Sequence, residues 1–300
     1  DGFVQAEIID LLEYMVDEYD ADPERVYLQG ISMGGMMAAT VAAKYPDRFA
    51  ALCDLWGPTN VKDWYYELGD YVGDQGSQEW RQDKIAGQLN GTPGTNLFAY
   101  QSVSAAEMAM NLSHLPTIIV HGLNDELVPY SHAQNLHDEM ELHKAEYVAL
   151  YPFEGGHGDP WPEGDPDYIL DFFSERSRVT CPLTVTVRTP ESKSYYWLDI
   201  SYNSAMHWTS INVSYDPLTE LIELDVFDED DKEVDVTLDL AKMGLPTDVP
   251  YTVEDLNDET GKFKQQSISP NGDKLVLHMT PGRHLIVAYP HIAPTPQTIA

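Results

Sequence analysis

A serine between glycines is the first feature of this sequence that could do chemistry. Gly30, Ser32 and Gly34 form the pattern Gly-x-Ser-x-Gly in the stretch YLQGISMGGMMAA, between an apolar run and a run with helical spacing. Where a strand turns sharply into a helix, this pattern exposes the serine hydroxyl above the end of the sheet. Ser32 is therefore a candidate nucleophile, and the alternative is a polar residue in a tight turn.

The residues around this serine have expected roles of their own. We expect side chains at Gly30 and Gly34 to clash in so sharp a turn, so that glycine is needed on both sides of the serine. The backbone N–H of Met33, at the start of the following helix, is the candidate donor to a developing oxyanion.

A base and an acid follow the serine at two later strand ends, which matters because a hydroxyl needs a base to become a nucleophile. Asp125 comes just after the apolar run TIIVHG, and His157 lies in the glycine-rich loop FEGGHGD after the run YVALYPF. The carboxyl ends of parallel strands meet at one edge of a sheet, so the three side chains can converge there. The order Ser, Asp, His is that of a nucleophile, an orienting acid and a base.

Other acids and histidines compete for these roles. Asp138 falls within a predicted helix and Asp159 follows the histidine too closely, so Asp125 is the preferred acid. His121 lies inside a strand end, where a structural hydrogen bond is the commoner role. The remaining rival histidines lie on one predicted helix, and a solvated helix face explains them better than a zinc site: His132, His137 and His143. We predict no metal and no cofactor.

Alternating strands and helices must position these residues. Strands are predicted in the stretches RVYLQG, FAALCDLWG, TIIVHG and YVALYPF. Helices are predicted at 2–19, 33–44, about 104–112, about 131–143 and about 166–177. This alternation indicates an α/β domain over residues 1–180, with a mostly parallel sheet and helices on both of its faces.

The pattern changes after residue 180. Short, partly alternating runs separated by Pro, Gly, Asp and Asn predict an antiparallel β-sandwich over residues 183–291, followed by a flexible Pro-rich tail at 292–300. The acidic run from Asp228 to Asp231 falls in a hairpin position, which favours a solvated turn over a calcium site.

An aromatic, loop-rich insertion at about 58–100 separates two of the predicted strands. Trp64, Tyr65 and Tyr66 within it, and Trp56 just before it, are candidate walls of a substrate pocket. Tyr71 belongs to the same stretch. The alternative is a surface subdomain that packs its own aromatic side chains.

Charge limits the possible partners of the chain. Seventeen Lys and Arg residues face 50 Asp and Glu residues, which gives a net charge of −33. Phosphates would be repelled everywhere, which argues against nucleic acid and against an anionic membrane as partners. We expect a soluble protein in an extracellular or periplasmic setting. Cys53 and Cys181 are predicted as separate thiols, with a disulfide between them as the open alternative.

Three stretches together resemble a known superfamily of enzymes. DPERVYLQGISMGGMMAATVAAKYPDRFAALCDLWG, LPTIIVHGLNDELVP and YPFEGGHG resemble α/β-hydrolases near the prolyl oligopeptidase-like and the feruloyl or polyhydroxybutyrate esterase-like branches, over about residues 1–177. The resemblance implies Ser32 as nucleophile, His157 as base and Asp125 as acid, acting on an acyl carbonyl through an acyl-enzyme.

The resemblance implies a serine hydrolase that cleaves small or polymeric carboxylic esters. A peptidase of the prolyl oligopeptidase type would use the same residues on peptides. An alternative of another class is a non-catalytic fragment or a protein that binds a polymer or a carbohydrate.

The sequence departs from the family pattern before the serine. The family has four further strands there, on the order of a hundred more residues. One of them carries the second oxyanion donor, so that donor is expected to be absent from this chain, and losing one donor can cost about 10²–10³ in rate. We expect an unpaired edge at RVYLQG, a missing N-terminal segment or another chain that completes the sheet, and weak activity of this chain alone.

Overall fold

A computed structural model describes residues 2–68, 78–162, 166–202, 207–256 and 265–288. The chain divides into two compact units, Asp1–Val179 and Thr180–Ala300. Tyr71 and the predicted tail at 292–300 lie outside the described residues. The domain boundaries proposed from the sequence stay a prediction.

The first unit is built on a parallel sheet of four strands, which confirms the predicted fold class. The strands are β1 (Tyr27–Ile31), β2 (Ala51–Leu55), β3 (Thr117–Gly122) and β4 (Val148–Phe153), in the order β1-β2-β3-β4. Every residue of β2 and β3 is buried, as expected for strands covered on both faces. Among the described residues β1 pairs with β2 alone, and the additional strand expected beside it stays a prediction.

Helices surround this sheet. They are α1 (Gly2–Tyr19), α2 (Met33–Lys44), α3 (Val61–Glu67), α4 (Gln78–Gln88), α5 (Leu97–Gln101), α6 (Ser131–Leu142) and α7 (Pro166–Ser174). The predicted helix at about 104–112 is instead a 3-10 helix, Ala105–Leu112, interrupted at Met108 with φ −121° and ψ 21°. The insertion predicted as loop-rich contains α3, α4 and α5.

Small side chains let α2 pack closely on the sheet. Ala39, Ala42 and Ala43 are fully buried in α2, which packs against β1 and β2. Because an alanine side chain is a single methyl group, the helix backbone can approach the strands closely. The start of α2 is thereby fixed directly above the carboxyl end of β1.

The second unit consists of two antiparallel sheets, as the alternating runs predict. The strands are β5 (Thr184–Thr189), β6 (Lys193–Tyr195), β7 (Leu198–Ser201), β8 (Thr209–Asp216), β9 (Leu221–Asp228), β10 (Val234–Asp239), β11 (Tyr251–Asp255), β12 (Gln265–Ile268), β13 (Lys274–Met279) and β14 (Gly282–Ala288). One sheet has the order β13-β10-β7-β6 and the other β12-β11-β14-β9-β8-β5. A short helix, α8 (Leu240–Met243), follows β10.

The acidic run that begins at the last residue of β9 leads into a turn, but this first residue is buried rather than solvated as predicted. Asp228 is 5% exposed, and its Oδ1 accepts hydrogen bonds from the N–H groups of Asp230 and Lys232. A buried carboxylate needs such donors, and here the backbone of the turn supplies them.

Two further expectations concern thiols and membranes. Cys53 is buried in β2 and Cys181 is exposed, and both are free thiols. None of the described helices combines the length and the apolar character that crossing a membrane requires.

Candidate functional site

Ser32 occupies a strained turn between β1 and α2. Its φ of 57° and ψ of −120° lie outside the conformations that non-glycine residues commonly adopt. The N–H of Ser32 donates to the carbonyl of Leu55 at 2.7 Å, and its own carbonyl accepts from the N–H of Met36 at 3.0 Å. The end of β2 and the first turn of α2 therefore hold the serine in this conformation.

Close backbone packing explains one of the two glycines expected at this turn. A Cβ at Gly30 would lie 2.0 Å from the carbonyl oxygen of Gly34. The expectation for Gly34 was wrong, because a Cβ there would meet no described atom within 4 Å. The second clash falls one residue later: a Cβ at Gly35 would lie 2.2 Å from Oδ1 of Asp54, since this face of α2 lies against the end of β2.

Three side chains from separate strand ends meet in one hydrogen-bonded series. Nε2 of His157 lies 2.8 Å from Oγ of Ser32, and Nδ1 of His157 lies 2.7 Å from Oδ2 of Asp125. These residues follow β4, β1 and β3, respectively. We refer to Ser32, His157 and Asp125 as the candidate triad.

Backbone donors hold the other oxygen of the acid. Oδ1 of Asp125 accepts hydrogen bonds from the N–H groups of Leu127 and Val128, both at 2.9 Å. Burial by itself raises the pKa of Asp125, but hydrogen bonds from His121, His157 and the Val128 N–H together hold it below its ordinary value. The acid is therefore a carboxylate at neutral pH.

This charge state fixes the proton on the imidazole. A carboxylate only accepts hydrogen bonds, so Nδ1 of His157 carries the hydrogen that lies between it and Asp125. In the neutral imidazole Nε2 then has a lone pair directed at the Ser32 hydroxyl, 2.8 Å away. The arrangement can accept the serine proton.

Ser32 and His157 open onto a cavity of about 390 Å³. Apolar side chains from α2, α3 and α4 contribute most of its wall, with two cations on α4. Those lining residues include Met33, Met36, Met37, Trp64, Leu68, Trp80, Arg81, Lys84 and Ile85. Sequence reasoning missed the methionines of α2, although the run MGGMM directly after the serine was the available signal.

Only Trp64 of the four predicted pocket residues lines this cavity, and its Nε1 donates to the Leu127 carbonyl at 2.9 Å. The other three have different surroundings. Trp56 is buried in the core under the sheet, with its ring centroid 6.0 Å from that of Phe153. Tyr65 packs on Tyr100 at 5.6 Å, and Tyr66 is exposed outside the cavity wall.

The reason is the position of each side chain on its element. Trp56 follows the fully buried strand β2, so its ring continues into the core. On α3, successive residues point about 100° apart, so only Trp64 of its three aromatic residues reaches the cavity.

The rival acids have other described partners. Oδ2 of Asp159 accepts the N–H of Gly156 at 2.7 Å and so shapes the loop that carries His157. Asp138 lies on α6 beside His137, 3.1 Å from its Nδ1. Neither forms a hydrogen bond with the imidazole of His157 among the described contacts.

The rival histidines make other contacts. His121 is fully buried, and its Nε2 lies 2.7 Å from the Val128 carbonyl and 3.2 Å from Oδ2 of Asp125. His132 is buried and its Nε2 lies 3.0 Å from Oε2 of Glu67.

One group of possible metal ligands occurs among the described residues. His137, Asp138 and Glu141 offer atoms within 4.8 Å of one another, and both acids are exposed on α6. Exposed acidic groups of this kind are common without a bound metal, and none of these three residues belongs to the candidate triad.

Comparison with known proteins gives local and family-level similarity. A stretch of 44 residues is 46% identical to feruloyl esterase B of Neurospora crassa and 43% identical to acetylxylan esterase A of Emericella nidulans. The matched stretch is 15% of this chain and 15% and 14% of those proteins, respectively. The chain thus matches only about a seventh of the length of these relatives.

Two solved structures are similar to part of the chain. Acylaminoacyl peptidase of Pyrococcus horikoshii is 21% identical with a TM-score of 0.46, over 58% of this chain and 28% of the peptidase. A truncated carbohydrate esterase from gut microbiota is 18% identical with a TM-score of 0.42, over 54% of this chain and 63% of the esterase.

The match that covers most of the first unit comes from a family profile. The profile of the prolyl oligopeptidase family, peptidase family S9, matches residues 4–173, which is more than half of the 300 residues. This span contains the parallel sheet, the strained turn at Ser32 and the loops that carry Asp125 and His157. The chain therefore belongs to the prolyl oligopeptidase family, a family of serine hydrolases with the α/β-hydrolase fold.

Proposed function

We propose that this protein hydrolyses carboxylic esters through an acyl-enzyme formed on Ser32. The observation that carries the proposal is the series of two hydrogen bonds, 2.8 Å and 2.7 Å long, that links Ser32, His157 and Asp125 beside a cavity.

The steps follow from this geometry. His157 accepts the Ser32 proton at Nε2 while the serine oxygen attacks the acyl carbonyl carbon. Asp125 stabilises the imidazolium that forms, and the Met33 N–H at the start of α2 donates to the oxyanion. Collapse of the tetrahedral intermediate releases the alcohol, which takes the proton from His157. Water, deprotonated by His157, then attacks the acyl-enzyme in the same way, which releases the carboxylic acid product and restores Ser32.

The cavity wall suggests the kind of substrate. Met33, Met36 and Trp64 offer apolar surface next to the serine, and a volume of about 390 Å³ is within the usual range of small-molecule sites. An apolar or aromatic group on the acyl or the alcohol side would fill it. The local similarity to esterases that act on feruloyl and acetylxylan groups supports an ester as the bond cleaved.

The test is covalent labelling combined with turnover. The full chain is treated with a fluorophosphonate probe and assayed on p-nitrophenyl esters of increasing acyl size. We expect labelling and hydrolysis that Ser32→Ala abolishes. Ser102→Ala is the matched control, because the Ser102 hydroxyl bonds only to the carbonyl of Ala99 among the described contacts, and this variant should retain both labelling and hydrolysis. Absence of labelling in folded protein contradicts the proposal.

A peptidase is the second candidate, and membership of the prolyl oligopeptidase family favours it. The same three side chains can attack an amide, so geometry at the serine does not separate the two activities. Blocked aminoacyl p-nitroanilides and the matching p-nitrophenyl esters, compared at equal concentration, separate them. Ester turnover without amide turnover supports the esterase, and comparable kcat/KM on both supports the peptidase.

A further inference from the structure

A second histidine contacts the acid of the candidate triad from its buried side. Nε2 of His121 lies 2.7 Å from the carbonyl oxygen of Val128 and 3.2 Å from Oδ2 of Asp125. Both partners only accept hydrogen bonds, so Nε2 carries a hydrogen that the two oxygens share. Oδ2 of Asp125 therefore receives donors from two imidazoles, His157 on the cavity side and His121 on the core side.

The other nitrogen of this histidine is buried and has no described hydrogen-bond partner. The same is true of Oδ2 of Asp54, a carboxyl that is 1% exposed on β2. Asp54 pairs with Ile119 across the two parallel strands, and His121 follows two residues after Ile119 on the same face of β3. A buried acid and a buried imidazole thus lie on neighbouring strands, each with one unsatisfied polar atom.

Asp54 also contacts the turn that holds the serine. Its Oδ1 accepts a hydrogen bond from the N–H of Gly57 at 3.1 Å and lies 2.2 Å from the position that a Cβ of Gly35 would take. This carboxyl therefore lies against the start of α2 and on the strand next to that of His121.

We propose that His121 is a positioning residue that holds and polarises Asp125 from the core, and that Asp54 acts on the candidate triad through His121. The inference rests on the proposed function, because it assigns these residues to the site at Ser32. In this arrangement the charge of Asp54 affects His121, the hydrogen bond from His121 affects Asp125, and Asp125 in turn holds His157.

Among the neighbouring groups whose pKa is shifted, Asp54 is the one whose pKa is brought close to neutral pH. Burial raises the pKa of Cys53 and of Tyr130, so both stay neutral. Burial lowers the pKa of His132 to about 4, and its partner Glu67 lies beyond it. Burial raises the pKa of Asp54 to about 6, which the nearby His121 and the Gly57 N–H only partly oppose.

The expected effect on the base has a definite sign. A hydrogen bond from His121 withdraws charge from Oδ2 of Asp125, which weakens the hold of that oxygen on the proton shared with His157. Removing the donor makes the imidazolium form of His157 more favourable. The proton should then leave His157 at a higher pH.

The test uses two amides that differ by one methylene group. The side-chain nitrogen of Gln matches Nε2 of histidine in reach, whereas that of Asn is too short to contact Asp125. The titration of the His157 ring is followed by NMR in the full chain without substrate. We expect His121→Asn to raise the midpoint by about one pH unit, the size of one charge-assisted hydrogen bond, and His121→Gln to leave it unchanged.

Control variants separate positioning from loss of stability. His132→Gln replaces another buried histidine that is neutral at the pH of the experiment, and it should leave the midpoint unchanged. His121→Ala is a second variant without the donor, and it replaces His121→Asn in the test if the Asn variant does not fold. It should also raise the midpoint of the His157 titration. Equal midpoints for the Asn and Gln variants overturn the role of His121.

A double-mutant cycle tests the role of Asp54. Asp54 as a carboxylate favours a proton on the unsatisfied nitrogen of His121 and strengthens the donor, so Asp54→Asn should raise the His157 midpoint by less than His121→Asn does. In the His121→Gln background the same change should have no effect. An equal shift in both backgrounds, or none in either, overturns this step. Since no turnover is measured, absence of esterase activity leaves this test standing.

Discussion

Among the described residues, each unit contains a hydroxyl, a histidine and an aspartate in close contact, but the order of the contacts differs. In the second unit Thr209, Asp228 and His207 form a group that we name the His207 cluster. Oγ1 of Thr209 donates to Oδ2 of Asp228 at 2.6 Å, and Nε2 of His207 lies 2.9 Å from the same oxygen. The hydroxyl thus contacts the acid, whereas Ser32 in the candidate triad contacts the imidazole.

Access differs as well. Thr209 is fully buried and His207 is 4% exposed, so no substrate can reach the hydroxyl. Ser32 is half-buried and lines a cavity of about 390 Å³. The same residue types therefore stabilise a turn in one unit and form a candidate catalytic site in the other, and the order of contacts and the access of solvent make the difference.

The largest expected effect is the difference between removing the hydroxyl of Ser32 and removing that of Thr209. Ser32→Ala should lower kcat on a p-nitrophenyl ester by a factor on the order of 10⁶, because the nucleophile is lost. Thr209→Val should leave kcat unchanged and lower the free energy of unfolding by about 1–3 kcal/mol, because a buried carboxylate loses a donor. Ester kinetics and urea unfolding measure the two effects. Loss of activity in folded Thr209→Val would contradict this division of roles.

The two aspartates give the next largest contrast. Asp125→Asn should lower kcat by about 10³–10⁴, because an amide can donate to His157 and so favours the wrong tautomer. Asp228→Asn should retain kcat but lower the midpoint of thermal unfolding, since Asp228 accepts two backbone N–H groups of a turn. Single-turnover kinetics and calorimetry on both variants test the pair. Similar kinetic losses in both would remove the distinction.

Asp54 in the first unit should make the free energy of unfolding depend on pH. Its carboxyl is buried with one unsatisfied oxygen, and burial raises its pKa from 3.8 to about 6. A raised acid pKa means that the folded state prefers protonated Asp54. The stability that this preference provides is fully present below about pH 4 and is lost as the pH rises through about 6. At pH 8 the buried charge of Asp54 lowers the free energy of unfolding by about 3 kcal/mol, and Asp54→Asn should remove this loss.

Urea unfolding of wild type and Asp54→Asn at pH 4.5 and pH 8 measures this effect. The variant should gain stability relative to wild type at the higher pH and show little difference at the lower. Equal differences at both pH values would mean that ionisation of Asp54 does not affect folding.

The glycines after the serine give the smallest expected effect. Gly35→Ala should lower the free energy of unfolding by about 1–3 kcal/mol, because its Cβ would lie 2.2 Å from Oδ1 of Asp54. Gly34→Ala is the matched control in the same helix turn, and it should be neutral or slightly stabilising, since its Cβ meets nothing within 4 Å. Chemical denaturation of both variants tests the contrast. Equal destabilisation would contradict the packing at Gly35.

Much of the first unit could be predicted from local patterns. The strand at 117–122 and the helix at 33–44 have the bounds that the sequence predicts, because apolar periodicity and turn residues act within a few positions. The 3-10 helix at Ala105–Leu112 could not be predicted, since its apolar spacing also fits an α-helix and the break at Met108 is not visible in the residue types.

The candidate triad was predictable because its motif includes its own structural context. Ser32 lies between a strand and a helix, and Asp125 and His157 follow later strands, so the parallel sheet brings them to one edge. The cavity wall was less predictable. Trp56 and Trp64 are the same residue type eight positions apart, yet one packs in the core and the other faces the cavity.

The sequence by itself determined the order of strands and helices, the sharp turn at Ser32 and the positions of the candidate acid and base along the chain. Tertiary structure alone decided that α4 and the α2 methionines contribute to the cavity wall, that His121 contacts Asp125, and that Asp54 lies on the strand next to that of His121. The physical reason is the difference in the distance along the chain over which these interactions act. Backbone propensity and turn chemistry act over a few residues, whereas burial and hydrogen bonding between distant strands depend on how the whole sheet packs.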